Sequence, residues 1–376
     1  LYTCKRTGRR LIRIMTLSMR VTDNPAEVYR GADLGVLAAV LIRSAIWDAA
    51  GSQKNDYDPE SVKGNEGSSG RISTLQTSRD IAVDTCVEIL SCYRLYTSAK
   101  KSPPAQLVLP ESLQLLPLLI LSLRKSSLLR PALAKGLGYA QSPSPTCDDR
   151  CFQQHYAMNV SPAVATLLVH PNVYCLTSME SSDGTMYTPS PVDMKNRSMG
   201  SSDEVDYEPY IRLPHPIHPS MSCLNDDGIH LIDDGFSLYL LVGNRVSGEK
   251  RNQLFATTNS NTSHNSDCLD ISTTSDFGEK VGNIIHQLRT FHESRFTYAP
   301  LVVLSDSLDS TVHSHTPTEN AIESSSNNSY EGILLNLLVD DPTSHEKGYV
   351  DFLCSLHRQI RNKVMSETYA ETHGGF

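Results

Sequence analysis

Two alternating apolar segments joined by an Asp-Gly turn constrain this chain more than any other local feature. Residues 229–232 and 236–242 flank Asp233, Asp234 and Gly235. Glycine reaches positive φ without a steric cost, so Asp-Gly between two strand-like segments indicates a tight reversal of the backbone. The sequence therefore predicts an antiparallel β-hairpin over 229–242 in the second half of the chain.

The first half of the chain has helical periodicity instead. Asp33 is placed to cap a helix, and a second helix is predicted over 79–96. Trp47, the only tryptophan, comes late in the first of these helices, and the apolar surroundings favour a core position. The apolar positions of the first helix share one face: Leu34, Leu37, Ala38, Leu41 and Ala45.

Two proline positions predict where further helices begin. The apolar stretch 107–125 contains Pro117, which must either kink a helix or start a new one. Ser161 followed by Pro162 is typical of a helix start and predicts a short helix through Leu168.

The segments after the hairpin predict a mixture of helices and strands. Asp276 and Glu279 form a potential capping box for an amphipathic helix through Phe291. Strands are predicted over 300–304 and 333–339. A last helix is predicted over 349–364, with an apolar stripe of Tyr349, Phe352, Leu353, Leu356 and Ile360.

Four polar stretches interrupt these elements. Residues 51–70 are predicted to form a Gly-rich loop. Residues 178–208, 257–275 and 305–330 are rich in Ser, Asn, Thr or acidic residues and are predicted to be insertions, the first of them disordered.

The net charge of −9 is unevenly distributed. Residues 1–20 carry six basic and no acidic residues, a net of +6, whereas residues 151–376 carry 13 basic and 28 acidic residues, a net of −15. Alternation over 9–21 predicts a basic strand, which either faces an anionic surface such as lipid headgroups or is a solvated edge strand protected by its charge. The acidic remainder argues against nucleic acid as the main partner.

Composition also bears on the compartment. No apolar stretch reaches membrane-spanning length, no signal peptide is visible, and the chain does not begin with Met. We expect a fragment of a longer protein. The nine cysteines have no framework spacing, which indicates reduced thiols in the cytosol.

Motifs that carry chemistry are lacking in the sequence. It contains no phosphate-binding loop, dinucleotide fingerprint, nucleophile elbow, H-E-x-x-H or paired C-x-x-C motif. The sequence therefore predicts no enzyme, no catalytic residue, and no cofactor-binding or metal-binding residue.

Three weaker groupings have a functional and a structural interpretation. His215 and His218 lie in a proline-rich segment and could ligate a metal, but an exposed extended linker is favoured. Cys354 and His357 lie one helical turn apart, yet a buried inert thiol is favoured over a nucleophile. Four carboxylates near the hairpin could hold calcium, although turn formation is favoured: Asp226, Asp227, Asp233 and Asp234.

One basic pair remains open between two interpretations. Arg124 and Lys125 follow the apolar stretch and form either a docking point or the C-terminal end of a helix, where cations are favourable.

Four segments, taken in order, resemble the COPII vesicle-coat cargo-adaptor subunit family. Residues 109–126 are similar to the signature of its helical domain, and 227–243 to the first hairpin of its gelsolin-like domain. Residues 349–360 resemble its closing helix, and 11–45 resemble the exit from its β-sandwich into the first helix.

The resemblance implies a multidomain fold. Residues 1–22 would be the end of a β-sandwich, 23–170 an all-α helical domain, and 171–345 an α+β gelsolin-like domain carrying disordered, low-complexity insertions. Residues 346–365 would form a terminal helix that packs back on the helical domain.

The resemblance also implies a non-catalytic adaptor for endoplasmic reticulum to Golgi transport. Its implied partners are the GTPase-activating COPII subunit, cargo and SNARE sorting peptides, the membrane surface and, indirectly, the small coat GTPase. The implied location is cytoplasmic and peripheral on the endoplasmic reticulum membrane and COPII vesicles. The zinc ribbon and trunk of the family lie upstream of the matching segments, so no cofactor is expected in this chain.

Two other functions stay open. The sister subunit, which activates the GTPase, has the same domain types, but residues 233–237 and 349–360 look like the adaptor, so no catalytic arginine is assigned. A gelsolin-type actin or calcium binder would account for the hairpin and the acidic residues but not for the helical half.

Overall fold

The computed structural model combines a helical region with a five-stranded mixed sheet. It describes residues 2–3, 9–11, 21–51, 69–103, 106–130, 146–188, 209–255, 271–291, 298–304, 333–334, 337–343 and 346–373. No helix among these residues is both long enough and apolar enough to cross a membrane.

A short hairpin precedes the helices. Strand β1 (Tyr2–Thr3) pairs in antiparallel fashion with β2 (Arg10–Leu11). Only the start of the strand predicted over 9–21 is therefore observed, because residues 12–20 lie outside the described residues. Arg9 and Arg10 are exposed.

The first of the four N-terminal helices was not predicted, and the other three follow the predicted order with two adjustments. The second long helix begins at Ser69, ten residues before the predicted start at 79, and residues 52–68 of the predicted loop lie outside the described residues. Pro117 occupies the first turn of a new helix rather than kinking a longer one, and a 3₁₀ turn over Glu111–Leu113 precedes it. The helices are α1 (Pro25–Arg30), α2 (Leu34–Gly51), α3 (Ser69–Tyr96) and α4 (Leu116–Lys125).

Two further helices complete the helical region. Helix α5 (Cys147–Asn159) was not predicted, although the Thr146 hydroxyl and the Asp149 side chain form a reciprocal capping box that the sequence contains. Helix α6 (Pro162–Leu167) begins as predicted, with the Ser161 hydroxyl accepting the Val164 N–H at 3.4 Å.

The predicted hairpin is confirmed. Strand β7 (Ile229–Asp233) pairs in antiparallel fashion with β8 (Leu238–Val242), and Gly235 in their turn has a φ of 83°. A Cβ at Gly235 would lie 3.0 Å from the Leu167 Cβ, so both the backbone angle and the close packing of α6 require glycine.

The sheet has the order β6-β3-β7-β8-β9, with β9 parallel to β8 and the other pairs antiparallel. The predicted strand over 300–304 is confirmed as β9, whereas β3 was not predicted. The strands are β3 (Asn172–Cys175), β6 (Pro216–Ile217), β7 (Ile229–Asp233), β8 (Leu238–Val242) and β9 (Leu301–Leu304).

One face of the sheet is covered by α7 (Gly248–Leu254) and α8 (Asp276–Phe291). Helix α8 was predicted, but its cap differs from the prediction. The Ser275 hydroxyl accepts the Gly278 N–H at 2.9 Å, and Asp276 instead forms an ion pair with Lys280 at 2.9 Å.

The strand predicted over 333–339 is wrong. Residues 333, 334 and 337 are helical, and the Leu338 N–H donates to the Leu334 carbonyl at 2.9 Å. These leucines pack on the second face of the sheet against Val173, Ile232 and Leu304. A short, continuous apolar stretch is compatible with a strand or with a buried helical turn, so its sequence does not distinguish the two. Here the stretch forms a turn that packs on the sheet.

The predicted insertions are only partly within the described residues. Residues 178–188 are described, and β4 (Met186–Tyr187) pairs with β5 (Tyr210–Ile211), so the prediction of disorder is wrong for this part. Ile271 forms a bridge with Phe255. Residues 189–208, 257–270 and 305–330 lie outside the described residues.

The last helix, α9 (Tyr349–His373), packs against α3 and α4. Phe352, Leu356 and Ile360 are buried in one cluster with Leu90 and Leu116, as their spacing predicted. The helix extends nine residues beyond the predicted end at 364.

Candidate functional site

The helical region and the sheet meet at the chain segment that precedes α9. We call residues 339–346 the junction segment; its residues 344 and 345 lie outside the described residues. The segment contacts α3 and α4 on one side and the chain just after β6 on the other, and it thereby joins the two regions.

Glu346 joins the segment to α3 and α4. Its carboxylate pairs with Arg79 of α3, and with Arg124 of α4 at 3.3 Å. Arg124 also pairs with Asp80 at 3.1 Å. The side chains of Arg79 and Glu346 are only 7% and 13% exposed. Burial lowers the pKa of Arg79, and the charge of Glu346 opposes that shift.

Lys125, at the end of α4, lies in the same contact. Its Nζ donates to the Val339 and Asp341 carbonyls, each at 2.7 Å, and the residue is 4% exposed. Burial lowers the pKa of Lys125, and the charges of Asp340, Glu346 and Asp341 oppose this. Arg124 and Lys125 therefore neither form an exposed docking point nor merely end a helix, because both anchor the junction segment.

Asp341 fixes the opposite side of the segment. Its carboxylate accepts the Ser220 hydroxyl and the Met221 N–H, both at 2.7 Å. Asp340 lies between two histidines, with its Oδ1 3.7 Å from His170 Nε2 and its Oδ2 3.5 Å from His218 Nδ1. His215 and His218 are both exposed, and His218 in addition faces the Asp340 carboxylate.

No group of three or more metal-ligating side chains is found within the described parts of the chain. Two of the four acidic residues near the hairpin act as turn residues, as the favoured interpretation predicted, whereas the Asp226 carboxylate pairs with Arg245 at 3.1 Å. Asp233 accepts the Gly235 N–H at 2.9 Å, and Asp234 accepts the Phe236 and Ser237 N–H groups at 2.8 and 2.6 Å.

Two predicted core positions are exposed instead. Cys354 is exposed because it lies about 200° around the helix from both Phe352 and Leu356, which face the core. Trp47 is 70% exposed because Ile42, Ala45, Ile46 and Ala49 form the buried face of α2. In both cases closeness in sequence to apolar residues did not place the side chain on their face.

A cleft of about 470 Å³ lies between α4, α6 and the sheet. Its helical wall includes Leu115, Leu118 and Leu119, and its sheet wall includes Tyr174 and Asp233. We call it the junction cleft. Its size and its apolar walls with a few polar groups are typical of sites that bind small ligands or single side chains.

Comparison with known proteins shows which proteins this chain resembles. Residues 68–167 match the model of the Sec23/Sec24 helical domain. The Arabidopsis thaliana transport protein SEC24 C is 24% identical over 95% of this chain and 26% of its own length. The human protein Sec24C is 24% identical over 94% of this chain, and the Scheffersomyces stipitis SEC24 is 26% identical over the same share. The chain is thus similar to Sec24 proteins over almost its whole length, and its helical region matches the Sec23/Sec24 helical domain.

A solved structure has a similar fold. The crystal structure of the human COPII-coat protein Sec24c matches 91% of this chain with a TM-score of 0.58 and 21% sequence identity. These matches confirm the resemblance stated from the sequence, and they confirm the coarse fold of helical and sheet regions. The chain spans about a quarter to a third of the length of the Sec24 relatives that it matches.

No described residue group stands out as catalytic, and the sequence assigned none. The residues that the sequence missed are those of the junction, above all Glu346, Asp340 and Asp341. For Asp340 and Asp341 the available signal was their position before Pro342, which indicates a turn but names no partner, and Glu346 carried no such signal.

Proposed function

We propose that this chain is the C-terminal part of a COPII coat cargo adaptor and that it works by binding rather than by catalysis. The similarity to Sec24 proteins over 95% of the chain carries this proposal. The relatives are named as transport and coat proteins, and the match extends through both the helical region and the sheet.

The proposed domain division follows the family resemblance. Residues 1–22 end a β-sandwich, 23–170 form the helical domain, 171–345 form the gelsolin-like domain, and 346–365 form a terminal helix. Contacts of α9 with α3 and α4 support the last assignment.

We propose that the junction cleft receives one aliphatic side chain of a sorting peptide. Its leucine-lined wall suits such a side chain, and Asp233 and Tyr174 supply polar groups in the opposite wall. Peptides of this kind bind weakly, and micromolar affinity, about −8 kcal/mol, suffices when many coat subunits act on one membrane.

The proposed partners are the GTPase-activating COPII subunit, cargo and SNARE sorting peptides and, indirectly, the small coat GTPase. The proposed location is peripheral on the cytoplasmic side of endoplasmic reticulum membranes and COPII vesicles. The exposed Arg9 and Arg10 support contact with anionic lipid headgroups.

A GTP-hydrolysis assay separates the adaptor from its sister subunit. The purified chain is added to the GTP-loaded coat GTPase, with and without the GTPase-activating subunit. We expect no acceleration by the chain alone. Acceleration by the chain alone would assign it to the sister class, and a calcium-dependent rise of its melting temperature would favour a gelsolin-type protein.

A matched pair of variants tests the cleft. Leu115 is 54% exposed and lines the cleft, whereas Met186 is 69% exposed and does not line it, so Leu115→Asp and Met186→Asp make the same kind of change. Binding is measured by fluorescence anisotropy with labelled cytosolic-tail peptides of exported membrane proteins. We expect Leu115→Asp to weaken binding about tenfold and Met186→Asp to leave it unchanged. Equal affinities for both variants would exclude the cleft as the binding site.

A further inference from the structure

The two edges of the five-stranded sheet differ in their capacity to accept another strand. The β6 edge is only two residues long, and Pro216 within it has no N–H to donate. Pro214 and Pro219 flank it. At the other edge, no described strand pairs with the far side of β9.

The register of β9 shows which backbone groups point outward. The Leu238 N–H donates to the Pro300 carbonyl at 2.9 Å, and Leu238 lies opposite Leu301. In a parallel ladder a residue bonds to the two neighbours of its partner, so Val302 and Leu304 direct their backbone groups toward β8. The N–H and C=O groups of Leu301 and Val303 consequently point away from the sheet.

Side chains of β9 pack on both faces of the sheet. Leu301 and Val303 pack with the core beneath α8. Val302 and Leu304 belong to the cluster that contains Leu334 and Leu338 on the opposite face. The outward backbone groups are therefore presented by a rigid strand, which lowers the entropy cost of adding a partner strand.

We propose that the outer edge of β9 binds an extended peptide by strand addition. Leu301 and Val303 would each donate an N–H and accept with a C=O, giving four backbone hydrogen bonds. This site is separate from the junction cleft and does not depend on the coat function. An apolar edge that no described strand covers is a liability that proteins otherwise blunt with charge or proline, as the β6 edge does.

A peptide is favoured over a second copy of the chain as the occupant. The strand is four residues long, which corresponds to about 13 Å, and such a contact is far below the area that a stable dimer needs. Two copies would also bring together two chains of net charge −9. The same charge favours a peptide that carries lysine or arginine beside its extended segment.

Binding of a designed peptide tests the proposal. The probe is a fluorescein-labelled peptide of alternating Thr and Val residues with Lys at both ends, and its control has the same sequence with every backbone nitrogen methylated. We expect the unmodified peptide to bind the intact chain and to slow amide exchange at Leu301 and Val303. Methylation should weaken binding at least about tenfold, because it removes the donors that strand pairing requires.

Two variants at one position locate the site. Val303→Pro removes an outward N–H, whereas Val303→Ala trims the side chain and keeps that N–H. We expect Val303→Pro to weaken binding about tenfold and Val303→Ala to change it less than about threefold. The melting temperature of each variant is measured alongside, and the methylated peptide on the unaltered chain gives the same test without a mutation.

Three results would overturn the proposal. One is equal binding of the methylated and unmodified peptides. Another is amide exchange at Leu301 and Val303 that is already as slow in the free chain as at Val302 and Leu304, since the edge would then be paired. The third is a concentration-dependent dimer in sedimentation that protects these amides, which would make a second copy the occupant.

Discussion

The last helix and the junction segment just before it are held to the helical region by opposite kinds of interaction. Helix α9 is attached through buried apolar side chains such as Phe352 and Leu356. The junction segment is attached through Lys125 and through Glu346 with its two arginines. Apolar packing tolerates small shifts, whereas buried ionic contacts need every group partnered. The comparison indicates that the helix supplies stability and the segment fixes the geometry between the two regions.

The largest expected effect tests the polar side of this comparison. Lys125→Met leaves the buried Val339 and Asp341 carbonyls without their donor, so we expect the free energy of unfolding to fall by about 4 kcal/mol. Urea denaturation measures this loss.

The matched control is Lys363→Met, because Lys363 forms a surface pair with Glu88 and is 33% exposed. We expect it to cost less than about 1 kcal/mol. Similar losses for the two lysine variants would mean that the junction is no more than a surface contact.

The apolar side is tested by Leu356→Ala. Leu356 is 1% exposed, and its truncation removes apolar burial and leaves a cavity, at a cost of about 3 kcal/mol. Val350→Ala on the same helix is the control, since Val350 is 73% exposed. A loss below about 1 kcal/mol for Leu356→Ala in urea denaturation would contradict the packing of α9.

A smaller effect concerns the sheet. His230 of β7 is fully buried, and burial lowers its pKa while Asp227 opposes the shift. Its pKa in the folded chain thus lies below the unfolded value of about 6.5. Between those two values the unfolded chain binds more protons, so stability falls as the pH decreases.

His230→Leu should remove this pH dependence. Below a pH of about 6.5 we expect its free energy of unfolding to fall less steeply than that of the unaltered chain. The difference between the two slopes should be at most about 1.4 kcal/mol per pH unit. His215→Gln, at an exposed histidine, should keep the original slope. Urea denaturation at several pH values measures the slopes of the two variants and of the unaltered chain. Identical slopes for all three proteins would contradict a lowered pKa of His230.

The smallest expected effect is at Trp47. Because this side chain is 70% exposed, Trp47→Ala should change the free energy of unfolding by less than about 0.5 kcal/mol. A loss above about 2 kcal/mol in thermal or urea denaturation would indicate that Trp47 is buried in a core, as the sequence predicted.

Local sequence patterns predicted many of the helices, strands and turns, whereas they could not predict polar contacts between residues far apart in the sequence. The turn at Gly235, the cap at Ser161 and the stripe through Leu356 each depend on residues a few positions apart, and the structure confirms them. The contacts of Lys125 with Val339 and of Arg79 with Glu346 span 214 and 267 positions. No sequence periodicity relates residues so far apart, so the contacts of the candidate site could not be predicted from the sequence.

The errors have the same physical origin. Trp47 and Cys354 were assigned to cores because apolar residues stand next to them in sequence, although the helix turns them to the opposite side. Residues 333–339 were assigned to a strand because a run of apolar residues carries no period of its own.

The contact of Lys125 with Val339 also has a consequence for biosynthesis. Its two partners are 214 residues apart, so at about 5 to 20 residues per second the lysine leaves the ribosome some tens of seconds before its acceptor carbonyl. During that interval the nascent helices carry an ammonium group whose final partners have not been made. Closure of the molecule around Lys125 is therefore a late step, because it must wait until residue 339 has been synthesised.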